Sequence, residues 1–391
     1  MIYKTIRFGD LYAVDSRNGL TKPSKVRGSG YKMINMGELF SNDRIYDIPM
    51  ELVPLNDKEK LNAKVEIGDL LFARQSLVLE GAGKCSIVMD VSPLTVFESH
   101  LIRVRLISGA NPMFYYYYFR SPLSPIKTIV SQCAQAGIRG SDLQELNVIF
   151  PPKETQDKIA NILSKYDDLI ENNQKQIKLL EEVAQRLYKK WFIDLRFPDH
   201  EDVAIVDGVP EGWKREKLVD IADVQYGFAF DGSLFNSQGK GTPIIRIRNI
   251  PSGTTNDFTT QEADEQYIVS NGDIVVGMDG EFHINSWCGK TAYLVQRTCK
   301  FTPKKELMRG WLLQAIYEPI KFFEKTVVGA TVAHLGKKHI DTIELLTGPD
   351  DLYMPFNDLF NKRQLLLNQN ILLAEARDRL LPKLMNGEIE V

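Results

Sequence analysis

The chain repeats itself. Residues 169–192, LIENNQKQIKLLEEVAQRLYKKWF, align without a gap on 362–385, KRQLLLNQNILLAEARDRLLPKLM, at a constant offset of 193. Leu179, Leu180, Glu182, Arg186, Leu187 and Lys190 coincide with Leu372, Leu373, Glu375, Arg379, Leu380 and Lys383. The interval is far longer than the roughly 20–50 residues of a solenoid unit. It predicts two domain–helix modules in tandem, two similar surfaces suited to a ligand that is itself bipartite.

Each repeated helix follows a β-patterned region. In 1–152, VEIGDLLFAR (65–74), CSIVMDV (85–91) and HLIRVRLI (100–107) read as strands between turn residues. In 210–348, TPIIRIRNI (242–250) matches YKMINMGEL (31–39), SNGDIVVGMDG (270–280) matches EIGDLLFARQS (66–76), and GKTAYLV (289–295) matches GKCSIV (83–88). Helix-like runs at 115–120 and 311–323 and a loop at 137–152 or 331–349 complete each module. The offset drifts, so the modules share a plan and not a surface.

The long helices carry seams. Tyr166, Ile170, Asn173, Ile177, Leu180, Ala184, Leu187 and Trp191 recur at alternating steps of four and three, a heptad pattern. Leu359, Leu366, Leu373 and Leu380 recur every seventh residue, with Asn370 between them. Two stripes of matching length predict an antiparallel intramolecular coiled coil, with Asn173 and Asn370 as register markers. The plainer alternative packs each helix on its own β module. Pro382 predicts a kink or an end in the second helix. A helix over 154–192 would be about 58 Å long, against roughly 34 Å for one turn of DNA.

Composition is that of an ordinary globular protein, 43% hydrophobic and 25% charged, with a net charge of −3. No apolar run reaches the length of a membrane span and the N-terminus lacks a signal-peptide core, so a cytoplasmic location without membrane contact is expected. Cys85, Cys133, Cys288 and Cys299 form no C-x-x-C pair, and His100, His200, His283, His334 and His339 have no metal spacing. No metal is expected.

Catalytic motifs fail on their details. Asn111-Pro-Met-Phe114 has Met where an amino-methyltransferase motif has its second proline, and no glycine-rich loop precedes it. Gly83-Lys-Cys85 and Gly289-Lys-Thr291 lack the upstream glycine of a phosphate-binding loop and read instead as one shared β-turn. No catalytic residue is expected.

This arrangement resembles the specificity subunit of type I restriction–modification enzymes. The resemblance rests on Lys153-Glu-Thr-Gln-Asp-Lys-Ile-Ala-Asn-Ile-Leu163, Ile170-Glu-Asn-Asn-Gln-Lys-Gln176, and the run from Arg186 to Pro198. GVPEGWKREKLVDIA (208–222) and the closing Arg379-Leu-Leu-Pro-Lys-Leu-Met-Asn-Gly387 extend it over the whole chain. It implies an α+β fold with target-recognition domains at 1–152 and 210–348, a conserved long helix and linker at 153–209, and a conserved helix at 349–391. It further implies a non-catalytic subunit that recognises a bipartite, asymmetric site in double-stranded DNA. The partners it implies are two modification (methyltransferase) subunits and the restriction subunits. S-adenosylmethionine, ATP and Mg would belong to those partners, leaving no cofactor in this chain. The alternative is a coiled-coil scaffold that reads no DNA.

Reading DNA requires Arg, Lys, Asn, Gln or Ser on exposed loops, because these match base edges and phosphates. In the first module the candidates are Lys22, Lys25 and Arg27, then Arg74, Gln75 and Ser76, then Arg139 and Ser141. In the second they are Arg246, Arg248 and Asn249, then Lys290, then His334, Lys337 and Lys338. Gly137, Gly140 and Gly336 would admit close backbone approach. Trp191, Phe192, Leu195 and Phe197 suit either a partner surface or packing on the neighbouring module.

Overall fold

The computed structural model describes residues 3–92, 94–132, 136–326 and 333–391. Cys133, one of the four cysteines, lies outside them. The chain divides into two compact units, Met1–Asp168 with Ala374–Val391, and Leu169–Leu373. Both are α+β.

In the first unit a five-stranded sheet runs Tyr12–Asn18, Leu101–Leu106, Leu70–Ala73, Cys85–Val88, Arg44–Ile45. Leu70–Ala73 is central and buried at every position, so it reads as a continuous apolar run. A smaller sheet places Tyr31–Ile34 between Glu51–Val53 and a parallel Val96–Phe97. The helix Pro112–Arg120 is capped by Asn111, whose Oδ1 accepts from the Met113 and Phe114 amides. Its buried tyrosines and phenylalanines fill the core under the sheet. The Tyr117 hydroxyl donates to Asp167 at 2.5 Å, and Arg377 closes on the same carboxylate. Burial, then Asp167, pushes the Tyr117 phenol well above its usual range, which keeps the proton on this bond. Arg103 is buried and Arg105 binds Asp69, so the two arginines of 100–107 are structural.

The second unit holds a four-stranded sheet, Ala222–Tyr226, Thr298–Pro303, Ile274–Gly277, Ile284–Ser286. A second sheet sets Thr242–Ile245 parallel to Ala292–Leu294. The central pairing of the first unit therefore recurs. Two local expectations are corrected. Ala292–Leu294 corresponds to Val96–Phe97, while Cys85–Val88 corresponds to Ile284–Ser286, which pairs Ile274–Gly277 as Cys85–Val88 pairs Leu70–Ala73. Lys84 and Lys290 thus do not share a turn; Gly83 has φ +77° and pins its amide to Ala73, a geometry Gly289 lacks. The strand expected over 242–250 stops at Ile245, because the Arg246 amide donates to Asn249 Oδ1 and starts a 3-10 turn.

The first long helix spans Lys153–Tyr188 and widens into a π turn over Lys189–Ile193. The second spans Met354–Met385. It runs past Pro382 by three residues and ends where Gly387, at φ +75°, takes the left-handed position. In the second unit Asn173 bonds Asn370 and Glu181 bonds Arg363, so one index rises as the other falls and the pairing is antiparallel. In the first unit Ile159, Ala160 and Leu163 share a core with Leu381, Leu384 and Met385. Phe192 and Phe197 are buried against Trp213, and Trp191 meets Phe356 edge-on. Packing on the neighbouring module accounts for these aromatics.

Candidate nucleic-acid interface

Folding brings two of the first module's candidate segments together. Gln75–Ser76 continues the central strand and pairs with Ala136–Gly137, Gln75 opposite Gly137 and Ser76 opposite Ala136. The Arg74 carbonyl accepts from the Ile138 amide at 2.9 Å, and the Arg74 amide donates to His100 at 2.7 Å. Arg139 and Ser141 follow directly, both exposed at the start of the short helix Gly140–Glu145. Gly137 cannot carry a side chain without pressing on the Arg74 carbonyl, 3.0 Å from an added Cβ. Ser76 is buried and accepts from the Val78 amide, which makes it part of the turn.

The Lys22–Arg27 segment lies apart, against the small sheet. Lys22 binds both oxygens of Glu59 at 2.8 and 2.9 Å; Arg27 binds Glu51 at 2.6 Å and the Lys22 carbonyl at 2.8 Å. The Lys22 bond first, and the Asn56 amide second, hold the Glu59 carboxyl below its usual range. Lys25 is exposed on the turn Ser24–Val26. Among the described residues no hydrogen bond joins this segment to Arg74–Ser76.

The second module repeats the layout. The Met278 amide donates to Arg297 at 2.9 Å, the Leu335 amide donates to Met278 at 2.7 Å, and Asp279 bridges His334. Lys337 and Lys338 are exposed at the start of the helix Lys337–Ile340, where the first module has Gly140 and Ser141. Arg248 is exposed and paired with Asp257 at 2.5 Å, and Asn249 Nδ2 donates to the same carboxylate at 3.2 Å. Burial pushes Asp257 up, but these bonds outweigh it and the carboxyl stays below its usual range. The Arg246 guanidinium sits over the Phe235 ring, 5.7 Å from its centre. Lys290 is exposed, its carbonyl accepting from the Trp287 indole.

Sequence reasoning passed over Asp279, Arg297 and His100. Nothing in QRTCK or ESHL marks them, because their meeting depends on strand ends distant in the chain. It also missed Arg363 and Gln364, which are buried and bind the strand Ile284–Ser286 and the Trp287 carbonyl. Among the described residues no cluster of His, Cys, Asp or Glu has metal-binding geometry.

Comparisons with known proteins agree with the internal repeat. The family model for the type I restriction modification DNA specificity domain matches twice, over residues 3–182 and 210–349. The MjaIX specificity subunit of a type I restriction enzyme from Methanocaldococcus jannaschii is 28% identical over 309 residues, 72% of this chain and 70% of that one. The HindI specificity subunit from Haemophilus influenzae is 24% identical over 323 residues, 63% of this chain and 70% of that one. Among solved structures, the type I S subunit from M. genitalium superposes with a TM-score of 0.57 at 17% identity, covering 98% of this chain and 96% of that one. That likeness speaks to fold.

Proposed function

The chain belongs to the type I restriction–modification DNA specificity family, and from that premise we propose that each of its modules reads one half of a bipartite, asymmetric DNA site. The observation that carries this is the recurrence of one backbone frame with unlike side chains. Arg74, His100 and Ile138 in the first module are tied as Met278, Arg297 and Leu335 are in the second. A shared frame positions two readers alike, and different side chains give them different base preferences. Arg74, Gln75, Arg139 and Ser141 with Lys25, and Arg246, Arg248, Asn249, Lys290, His334, Lys337 and Lys338, are the residues proposed to meet DNA. Lys22, Arg27 and Ser76 support the loops that carry them.

Leu169, Leu179 and Val183 are exposed, each one residue before the seam positions Ile170, Leu180 and Ala184. Leu365 and Leu372 are exposed one residue before Leu366 and Leu373. That constant offset puts all five on one face of the helix pair, an apolar stripe fit for the helices of two modification subunits. Catalysis, and with it S-adenosylmethionine, ATP and Mg, is assigned to the modification and restriction subunits, in the cytoplasm. No helix among the described residues is long and apolar enough to cross a membrane.

Methylome sequencing of a host carrying the full gene set tests the reading. Two unlike half-sites at a fixed gap are expected. Footprinting of the assembled complex that protects no defined sequence would favour the scaffold alternative.

A further inference from the structure

Three side chains that no motif announces meet beside Lys337 and Lys338. Arg297 Nε lies 3.4 Å from Asp279 Oδ2, and His334 Nδ1 lies 2.5 Å from Asp279 Oδ1. Arg297 Nη1 is 3.3 Å from His334 Nδ1. The group is open to solvent, with the Arg297 side chain 56% exposed and that of His334 46%. Arg297 also has φ +69°, a left-handed backbone that Gly or Asn would adopt at lower cost. The turn does not need an arginine. A strained, exposed side chain braced by a carboxylate points to a task outside the fold.

The first module fills the same three backbone places with Gln75, His100 and Gly137. The backbone pairings match, the left-handed turn at Arg297 has no counterpart at His100, and every side chain differs. That is the pattern two readers of different half-sites require.

We propose that Arg297, with Asp279 as its positioning residue, reads a guanine in the second module's half-site, and that Gln75, His100 and Gly137 set the different preference of the first. This rests on the DNA-reading function proposed above. Asp279 holds the Nε side of the guanidinium and His334 lies against Nη1 at 3.3 Å, so the two Nη groups meet guanine O6 and N7 as a bidentate pair once Nη1 exchanges His334 for the base. Lys337 and Lys338, exposed on the helix that follows His334, suit phosphates.

The test uses the assembled complex, the site mapped for the unaltered protein, and every single-base-pair variant of that site. Arg297→Gly removes the side chain and relieves the left-handed backbone, so folding is preserved. It should lose discrimination at one G·C pair of one half-site by roughly tenfold to a hundredfold, with the other half-site's profile unchanged. Arg297→Lys keeps the charge without the fork and should lose the same discrimination while retaining overall affinity. Asp279→Ala should relax the same pair, where a merely structural role would weaken all duplexes equally. Unchanged discrimination in Arg297→Gly, or a uniform loss across the panel, overturns the inference and leaves the DNA-reading function standing. An unaltered complex with no preferred duplex removes that function and this inference together.

Discussion

The Asn173 side-chain amide donates to Asn370 Oδ1 at 3.0 Å, and to Gln369 Oε1 at 3.4 Å, across the two long helices. Both asparagines occupy seam positions where apolar residues would pack more tightly. Their bond is satisfied only in one alignment of the helices, because a shift of one turn would bury each amide against carbon. Replacing Asn370 with Ala should therefore destabilise the protein by about 1 kcal/mol, since Asn173 keeps only its longer bond to Gln369. Replacing both asparagines with Leu should raise the midpoint of thermal unfolding instead. A lower midpoint in the double variant would contradict the register role.

Arg363 joins the second long helix to the β module beside it. Its Nε binds Glu181 at 2.6 Å, Nη1 donates to Ser286 Oγ at 2.6 Å, and Nη2 donates to Asn285 Oδ1 at 2.8 Å. Gln364 adds a bond to the Trp287 carbonyl at 2.6 Å. Arg363→Ala strands buried acceptors, and a loss of about 2–3 kcal/mol is expected by denaturant unfolding. Discounting for the partly exposed Glu181 keeps the figure at that level. Arg363→Met fills the space but makes none of the bonds, so its loss should be smaller. Equal losses would show that the missing bonds and not the packing dominate.

The repeat and the heptads were legible because both are periodic in sequence. The seam residues Asn173, Ile177 and Ala184 are buried as the spacing predicts. What sequence hid was polar and non-local. Arg363 and Gln364 look like solvated helix residues until the strand Ile284–Ser286 arrives to bury them. Arg248 lies in TPIIRIRNI, which reads as β-patterned throughout, yet a capping bond from the Arg246 amide to Asn249 ends the strand before it. The match of GKTAYLV to GKCSIV failed for a related reason. Short apolar strands resemble one another, and only their pairing partners tell them apart.

Acid sensitivity follows from Glu59 and Asp257. Lys22 and the Asn56 amide lower the first; burial opposes but Arg248 and Asn249 lower the second. A carboxyl depressed by folding contributes stability above its unfolded value and loses it as pH falls through the folded one. Stability should thus stay flat down to about pH 4.5 from these groups and decline below it. Glu59→Gln should remove part of that decline, measured as unfolding free energy against pH. An unaltered acid limb would exclude Glu59 as a contributor.

Arg248 presents the sharper contest. It is exposed, yet Asp257 holds it at 2.5 Å through a carboxyl kept below its usual range, so the pair is charged at neutral pH. A phosphate or base edge must compete with that carboxylate, which limits indiscriminate binding and favours a ligand that offers two acceptors at once. Asp257→Asn releases the guanidinium without removing it. Affinity for arbitrary duplex DNA should rise, and the fall of log K with log salt should steepen by about one unit for the added phosphate contact. Removing Arg246 and Arg248 together should impair the half-site read by this module and spare the other. If Asp257→Asn leaves the salt slope unchanged while the double removal weakens both half-sites alike, Arg248 faces away from DNA and its pair with Asp257 is purely structural.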